Sequence, residues 1–218
     1  MTRRFTAYPS NYIKADTEYE PGGETFDGYM GATGWKGKNL DFSRDIKDIA
    51  KIIRSQFKKK FPGYKISARI SRFSGGQSLD VVVWMHTSDL MSKEDYIQMY
   101  VNNPMEFADY NGRMGYIDEI GHYHWVDAYQ FFNNKSDDEL YQFFSAQYDN
   151  TIKEYSEGSN TYPTIHYTSA ESAPIPLINS EPLDYLRSLI DSFNYDNSNS
   201  MVDYFDVNFY DSLEYKYD

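Results

Sequence analysis

The sequence predicts an α+β fold, a mainly antiparallel sheet with helices packed on one face plus a mixed insertion. Three observations carry that expectation: a helical apolar period from Ser43 to Phe61, two alternating apolar runs around a glycine pair within 64–85, and helical stretches starting at Ser92, Ser136 and Pro182 ahead of a strand-like end. The 218 residues suit one domain, and a chain of that length buries roughly 70% of its extended surface on folding.

Residues 1–40 read as an irregular N-terminal arm. Five glycines lie between Gly22 and Gly34, no apolar period is sustained, and turns are expected at Pro21-Gly22-Gly23 and Gly34-Trp35-Lys36-Gly37. Residues 41–218 read as a single α+β domain, with 87–181 inserted in it. Ser43 is placed to cap a helix whose Ile46, Ile49, Ile53 and Phe57 recur at three and four residues, while Arg44, Lys47, Lys51, Arg54 and Lys58 take the other arc. Phe61-Pro62-Gly63 ends it. The hairpin that follows, folded at Gly75-Gly76, sets Ile70 opposite Val81, Ala68 opposite Val83 and Ile66 opposite Met85, one apolar face across both strands.

Ser92 then caps a short helix that Asn103-Pro104 stops, and Asn111-Gly112 is a turn. Gly115 to Val126 reads as two short strands bent at Gly121. Ser136-Asp137-Asp138-Glu139 is a capping box, opening a helix to about Glu157. Pro182 opens a helix with Leu183, Leu186, Leu189 and Ile190 on one stripe. A strand from Met201 to Tyr210 is expected last, with Phe205, Val207 and Phe209 alternating against Tyr204, Asp206, Asn208 and Tyr210.

Composition narrows the function classes. The absence of Cys excludes disulfide scaffolds, thiolate metal clusters and cysteine nucleophiles. No apolar run reaches the ~18 residues of a membrane span, and Met1 to Thr6 lacks a signal-peptide stretch, so a soluble, cytoplasmic protein is expected. Charge is uneven: residues 1–72 hold 15 basic and 8 acidic residues, a net of +7, whereas 73–218 hold 6 and 25, a net of -19. Such asymmetry is a statement about association and solubility.

The chemistry-bearing motifs are sparse. Ser74-Gly75-Gly76-Gln77-Ser78 has the glycines of a phosphate cradle, but such loops lead into a helix N-terminus and this one leads from strand to strand. No nucleotide-binding glycine pattern and no Gly-x-Ser-x-Gly elbow is present, which disfavours an enzyme. His122 and His124, two apart in a strand, project from one face near Asp118, Glu119 and Asp127, but a metal needs a third ligand and the other imidazoles are His86 and His166. No metal and no cofactor are expected.

Three segments carry a family resemblance. The helix end Lys60-Phe61-Pro62-Gly63, the hairpin Ser71-Arg72-Phe73-Ser74-Gly75-Gly76-Gln77-Ser78-Leu79-Asp80-Val81, and the distal Phe193-Asn194-Tyr195-Asp196 with Met201-Val202-Asp203-Tyr204-Phe205 resemble a small domain family of the large polyvalent proteins of phages and conjugative elements. The resemblance covers about 45–86 and 182–210. It implies a mobile-element origin and an α+β core in which those segments share a sheet, and it transfers no catalytic residue. Residues 87–181 then stand as an insertion and 1–40 as an extension.

The leading expectation is an accessory protein that binds, without chemistry, a host protein of the nucleic-acid machinery, such as a defence nuclease of the CRISPR or restriction type. Carboxylates interleaved with aromatic rings imitate a nucleic-acid backbone, and Asp137, Asp138, Glu139, Asp203, Tyr204, Asp206, Asp211 and Glu214 are assigned to that surface. A second reading uses the basic helix 44–61 as a direct nucleic-acid module, through Lys51, Arg54, Lys58 and Lys59 with Arg69 and Arg72 on the hairpin. Against it, a net charge of -12 repels a polyanion within a Debye length of about 8 Å. A third reading is a nucleotide or small signalling-molecule site around His122, His124 and Tyr129.

Overall fold

A computed structural model describes residues 18–118, 120, 122–156, 164–168, 173–199 and 206–218. The elements are β1 (Gly23–Asp27), β2 (Thr33–Gly37), α1 (Ile46–Lys60), β3 (Lys65–Phe73), β4 (Gly76–Met85), α2 (Lys93–Asn102), β5 (Arg113–Ile117), β6 (Tyr123–Asp127), α3 (Ala128–Phe132), α4 (Asp137–Tyr155), β7 (Ile165–His166), α5 (Glu181–Asp191), β8 (Tyr195–Asp196) and β9 (Tyr210–Tyr217). Sheets are ordered β1-β2-β8, β3-β4-β9-β7 and β5-β6, and the pairs β1–β2, β2–β8, β5–β6 and β7–β9 are antiparallel. The fold is α+β. Among the described residues no helix is long and apolar enough to cross a membrane.

The chain divides into two compact units, 1–62 with 68–79 and 185–211, and 63–67 with 80–184 and 212–218. In the first unit, α1 buries Ile46, Ile49, Ile53 and Phe57, the stripe its spacing predicts, and α5 buries Leu186, Leu189 and Ile190. Helix α1 is capped by Asp45, whose carboxylate accepts from Lys47 N, and not by Ser43. The Ser43 hydroxyl is instead held by Asp41 at 2.6 Å in a preceding turn.

The segment 23–37 is a hairpin where composition predicts an irregular arm. Its glycines are close-approach positions: Phe26 lies opposite Gly34, where a Cβ would overlap the Phe26 ring, and a Cβ on Gly37 would overlap the Ser192 carbonyl. Residues 1–17 of the expected arm lie outside the described residues.

In the second unit, Ser92 caps α2 and Ser136 caps α4 through a reciprocal box with Glu139, both as expected. Tyr96, Ile97, Leu140 and Phe144 face inward, and Tyr96 meets Tyr148 edge-on while Tyr100 stacks on Phe144. The two strands expected between Gly115 and Val126 are β5 and β6. Helix α3, which the sequence reading omits, is capped by Asp127 through Gln130 N.

Two boundaries differ from expectation. The hairpin turn is Ser74-Gly75, one residue earlier than Gly75-Gly76, and the buried face of β4 adds Leu79 to Val81, Val83 and Met85. The last strand runs Tyr210–Tyr217, with Leu213, Tyr215 and Tyr217 buried. Of the strand expected at Met201 to Tyr210, residues 201–205 lie outside the described residues, Val207 bridges Asp196, and Phe209 is buried.

Candidate partner-binding surface

Acidity is concentrated in one unit. By sequence the second unit holds 6 basic and 20 acidic residues, a net of -14, and the first holds 15 and 13, a net of +2. The capping box places Asp137, Asp138 and Glu139 together on the first turn of α4, all exposed, where the helix dipole favours negative charge. Hydrogen bonds from Ser136 N at 2.8 Å and Ser136 Oγ at 2.9 Å hold the Glu139 carboxyl below the usual carboxylate range.

That turn borders a cleft of about 570 Å³ whose lining includes Tyr116, Asp118, Lys135, Glu139, Phe143 and Gln147. Helix α4 supplies one wall, and the end of β5 supplies Tyr116. The Asp118 carboxylate accepts from His124 Nε2 at 2.8 Å, from His122 N at 2.8 Å and from Ile120 N at 3.0 Å. Because an ionised carboxylate only accepts, His124 Nε2 carries the proton of that bond. These bonds, the imidazole first, hold the Asp118 carboxyl below its ordinary value. Tyr116 stacks on the His124 ring at 5.0 Å.

The remaining assigned residues are scattered. Glu214 lies on β9 opposite His166. Asp211 belongs to the first unit and accepts from Arg187 Nη2 and from Asn194 Nδ2, so its carboxylate serves an internal network. Asp206 engages residues 197 and 198 through its backbone. Asp203 and Tyr204 lie outside the described residues.

The basic residues are largely engaged within their own unit. Arg54 Nη1 donates to Ala68 O at 3.1 Å, Arg72 Nη2 to Asp45, Lys59 stands 3.5 Å from Glu18 and Lys51 3.8 Å from Asp48. Lys58 and Arg69 are exposed. For the small-molecule reading, the cleft is lined by Asp118, the partner of His124, and its lining includes neither His122 nor Tyr129. Among the described residues no three His, Asp or Glu side chains are grouped to hold a metal ion.

Sequence reasoning missed Lys135, Gln147 and Asn150 in the cleft, because they are single polar residues brought together only by the packing of α4 near β5. It also passed over the exposed rings of Tyr123 and Trp125, whose alternation in β6 was the available signal.

The family profile described as Large polyvalent protein associated domain 29 matches residues 44–170. The match runs from α1 to β7, takes in most of 87–181 and does not extend to 182–210. No curated protein and no solved structure matches the chain.

Proposed function

The chain belongs to the large polyvalent protein associated domain 29 family, which is consistent with a phage or mobile-element protein, and from that premise we propose that it acts by non-catalytic binding to a host protein of the nucleic-acid machinery. The observation that carries the reading is the net charge of -14 gathered in one unit, with Asp137, Asp138 and Glu139 exposed at the start of α4. A surface of that sign occupies a positively charged nucleic-acid channel and keeps the natural polyanion out. The target class that fits is a defence nuclease, so the protein acts as an inhibitor of the anti-CRISPR or antirestriction type in the host cytoplasm. Steering between opposite charges raises the association rate and fails as salt screens it.

The test is capture from host lysate on the immobilised full chain across a salt series, with duplex and single-stranded nucleic acid assayed in parallel. A nucleic-acid enzyme retained at low salt, lost at high salt, and lost from the Asp137→Lys/Asp138→Lys variant supports the reading. Binding of bare nucleic acid with no such enzyme retained sinks it and favours the basic face of α1.

A further inference from the structure

Lys135, Glu139, Phe143 and Gln147 are spaced four apart and all line the cleft of about 570 Å³, which sets a cation, an anion, a ring and an amide in one row. From Glu139 the row climbs α4, where positions four apart stand one above the other. At 1.5 Å per residue, Glu139 and Gln147 are about 12 Å apart along the helix axis.

The two charges at the start of the row are not spent on each other. Among the described residues the Lys135 ammonium makes no ion pair and lies over the Phe131 ring, 4.6 Å from its centroid. Both Ser136 bonds to Glu139 fall on Oε2, and Oε1 accepts no hydrogen bond among the described residues. Those bonds first, and the Lys135 ammonium after them, keep the Glu139 carboxyl ionised. Next along the row, Phe143 meets Tyr116 of the opposite wall at 69° with 5.6 Å between centroids, so the two rings make an apolar corner. Gln147 follows, 5% exposed yet lining the cleft, an amide where a helix face packed on a second element ordinarily carries an apolar side chain.

We propose that the cleft binds a free aromatic α-amino acid with a hydrogen-bonding ring edge, tryptophan or tyrosine. The ligand carboxylate meets Lys135, its ammonium meets Glu139 Oε1, its ring enters the corner of Phe143 and Tyr116, and its indole N–H or phenol reaches the Gln147 amide. Such a molecule spans the row once a hydrogen bond is added at each end. Charge rejects the other small-molecule classes. A nucleotide brings its phosphate charge to one ammonium and two carboxylates, Asp118 and Glu139, and a polyamine meets the Lys135 ammonium. Asp118 itself is turned to its own chain, where it holds His124 and the Ile120 and His122 amides. The site goes beyond the protein-partner reading and does not depend on it.

Isothermal titration calorimetry of the full chain with free tryptophan is the test, with tryptophan methyl ester, N-acetyltryptophan, phenylalanine, adenosine and spermidine alongside. The ester lacks the carboxylate, the acetyl derivative the ammonium and phenylalanine the ring-edge donor, and each is expected to bind about tenfold more weakly. Lys135→Met should weaken tryptophan about tenfold and leave the ester unchanged. Glu139→Gln should weaken tryptophan by a similar factor and leave the acetyl derivative unchanged. Its melting curve should stay with the wild type, because glutamine serves the same capping box. If Glu139→Gln melts lower, the paired titrations of Lys135→Met decide alone. No tryptophan binding at millimolar concentration overturns the proposal. So does tryptophan binding that Lys135→Met leaves unchanged, and so does tighter binding of adenosine or spermidine.

Discussion

Arg72 Nη2 donates to both carboxylate oxygens of Asp45, at 2.9 and 2.8 Å, so the residue that caps α1 is also tied to β3. The Lys47 backbone amide, then Arg72, hold the Asp45 carboxyl below its ordinary value. Asp45→Ala is therefore expected to lower stability by about 1–2 kcal/mol, mostly through the lost cap. A urea-denaturation cycle with Arg72→Ala checks this, and a coupling near zero would show the ion pair to be idle.

Gly76 has φ of 154°, and a Cβ there would meet the Tyr210 ring at 3.4 Å and the Phe73 ring at 3.6 Å. Gly76→Val is expected to cost roughly 1–2 kcal/mol, because the branched side chain is strained in that backbone region and crowds both rings. Gly75→Ala, one residue earlier and without positive φ, is the control. Thermal melts of the two variants should separate clearly.

Burial, followed by the Asp89 carboxylate and Glu181, pushes the Tyr64 hydroxyl from 10.0 up to about 12. That hydroxyl donates to Asp89, which is 5% exposed and also accepts from Asn179 Nδ2 at 2.8 Å and from His86 N at 3.0 Å. The folded protein holds this proton more tightly than the unfolded chain does. Its contribution is complete below pH 10 and is lost as pH rises towards 12. Alkaline unfolding followed by circular dichroism should begin in that interval, and Tyr64→Phe should remove part of the slope while lowering stability at neutral pH, since Asp89 then loses a donor.

In the first unit Arg187 joins two carboxylates, Asp191 at 2.6 Å and Asp211, with Asn194 completing the group. Arg187→Met leaves those acids facing each other and is expected to cost about 1–2 kcal/mol, less than breaking a fully buried pair because Arg187 and Asp191 are partly exposed. Asp211→Asn introduced into Arg187→Met should restore part of the loss. No restoration would mean that the arginine acts by packing alone.

How much of this was legible beforehand depended on where hydroxyls and rings sit. Helices α2 and α4 were readable almost to the residue, because the Ser92 and Ser136 hydroxyls bond within the first turn that each one caps. The start of α1 was misplaced by two residues, since the Ser43 hydroxyl is committed to Asp41. The β1–β2 hairpin was hidden by glycines that act as close contacts and not as turns, and β9 by a core face of Leu213, Tyr215 and Tyr217 in a chain rich in tyrosine. Within the site, the capping box announced Asp137 to Glu139. Tyr123 and Trp125 were passed over although they alternate with His124 and Val126 in β6, because Tyr116 and His124 put rings on the packed side as well.

Glu139 has one carboxylate and two claimants. Its Oε2 accepts from Ser136 N and Ser136 Oγ to start α4, and its side chain also lines the 570 Å³ cleft. Both capping bonds fall on Oε2, and a carboxylate accepts through two oxygens, so Glu139 can hold the helix start and still present an acceptor to the cleft. That first turn also carries Asp137 and Asp138, so the cap that fixes one rim of the cleft also fixes where those two carboxylates stand.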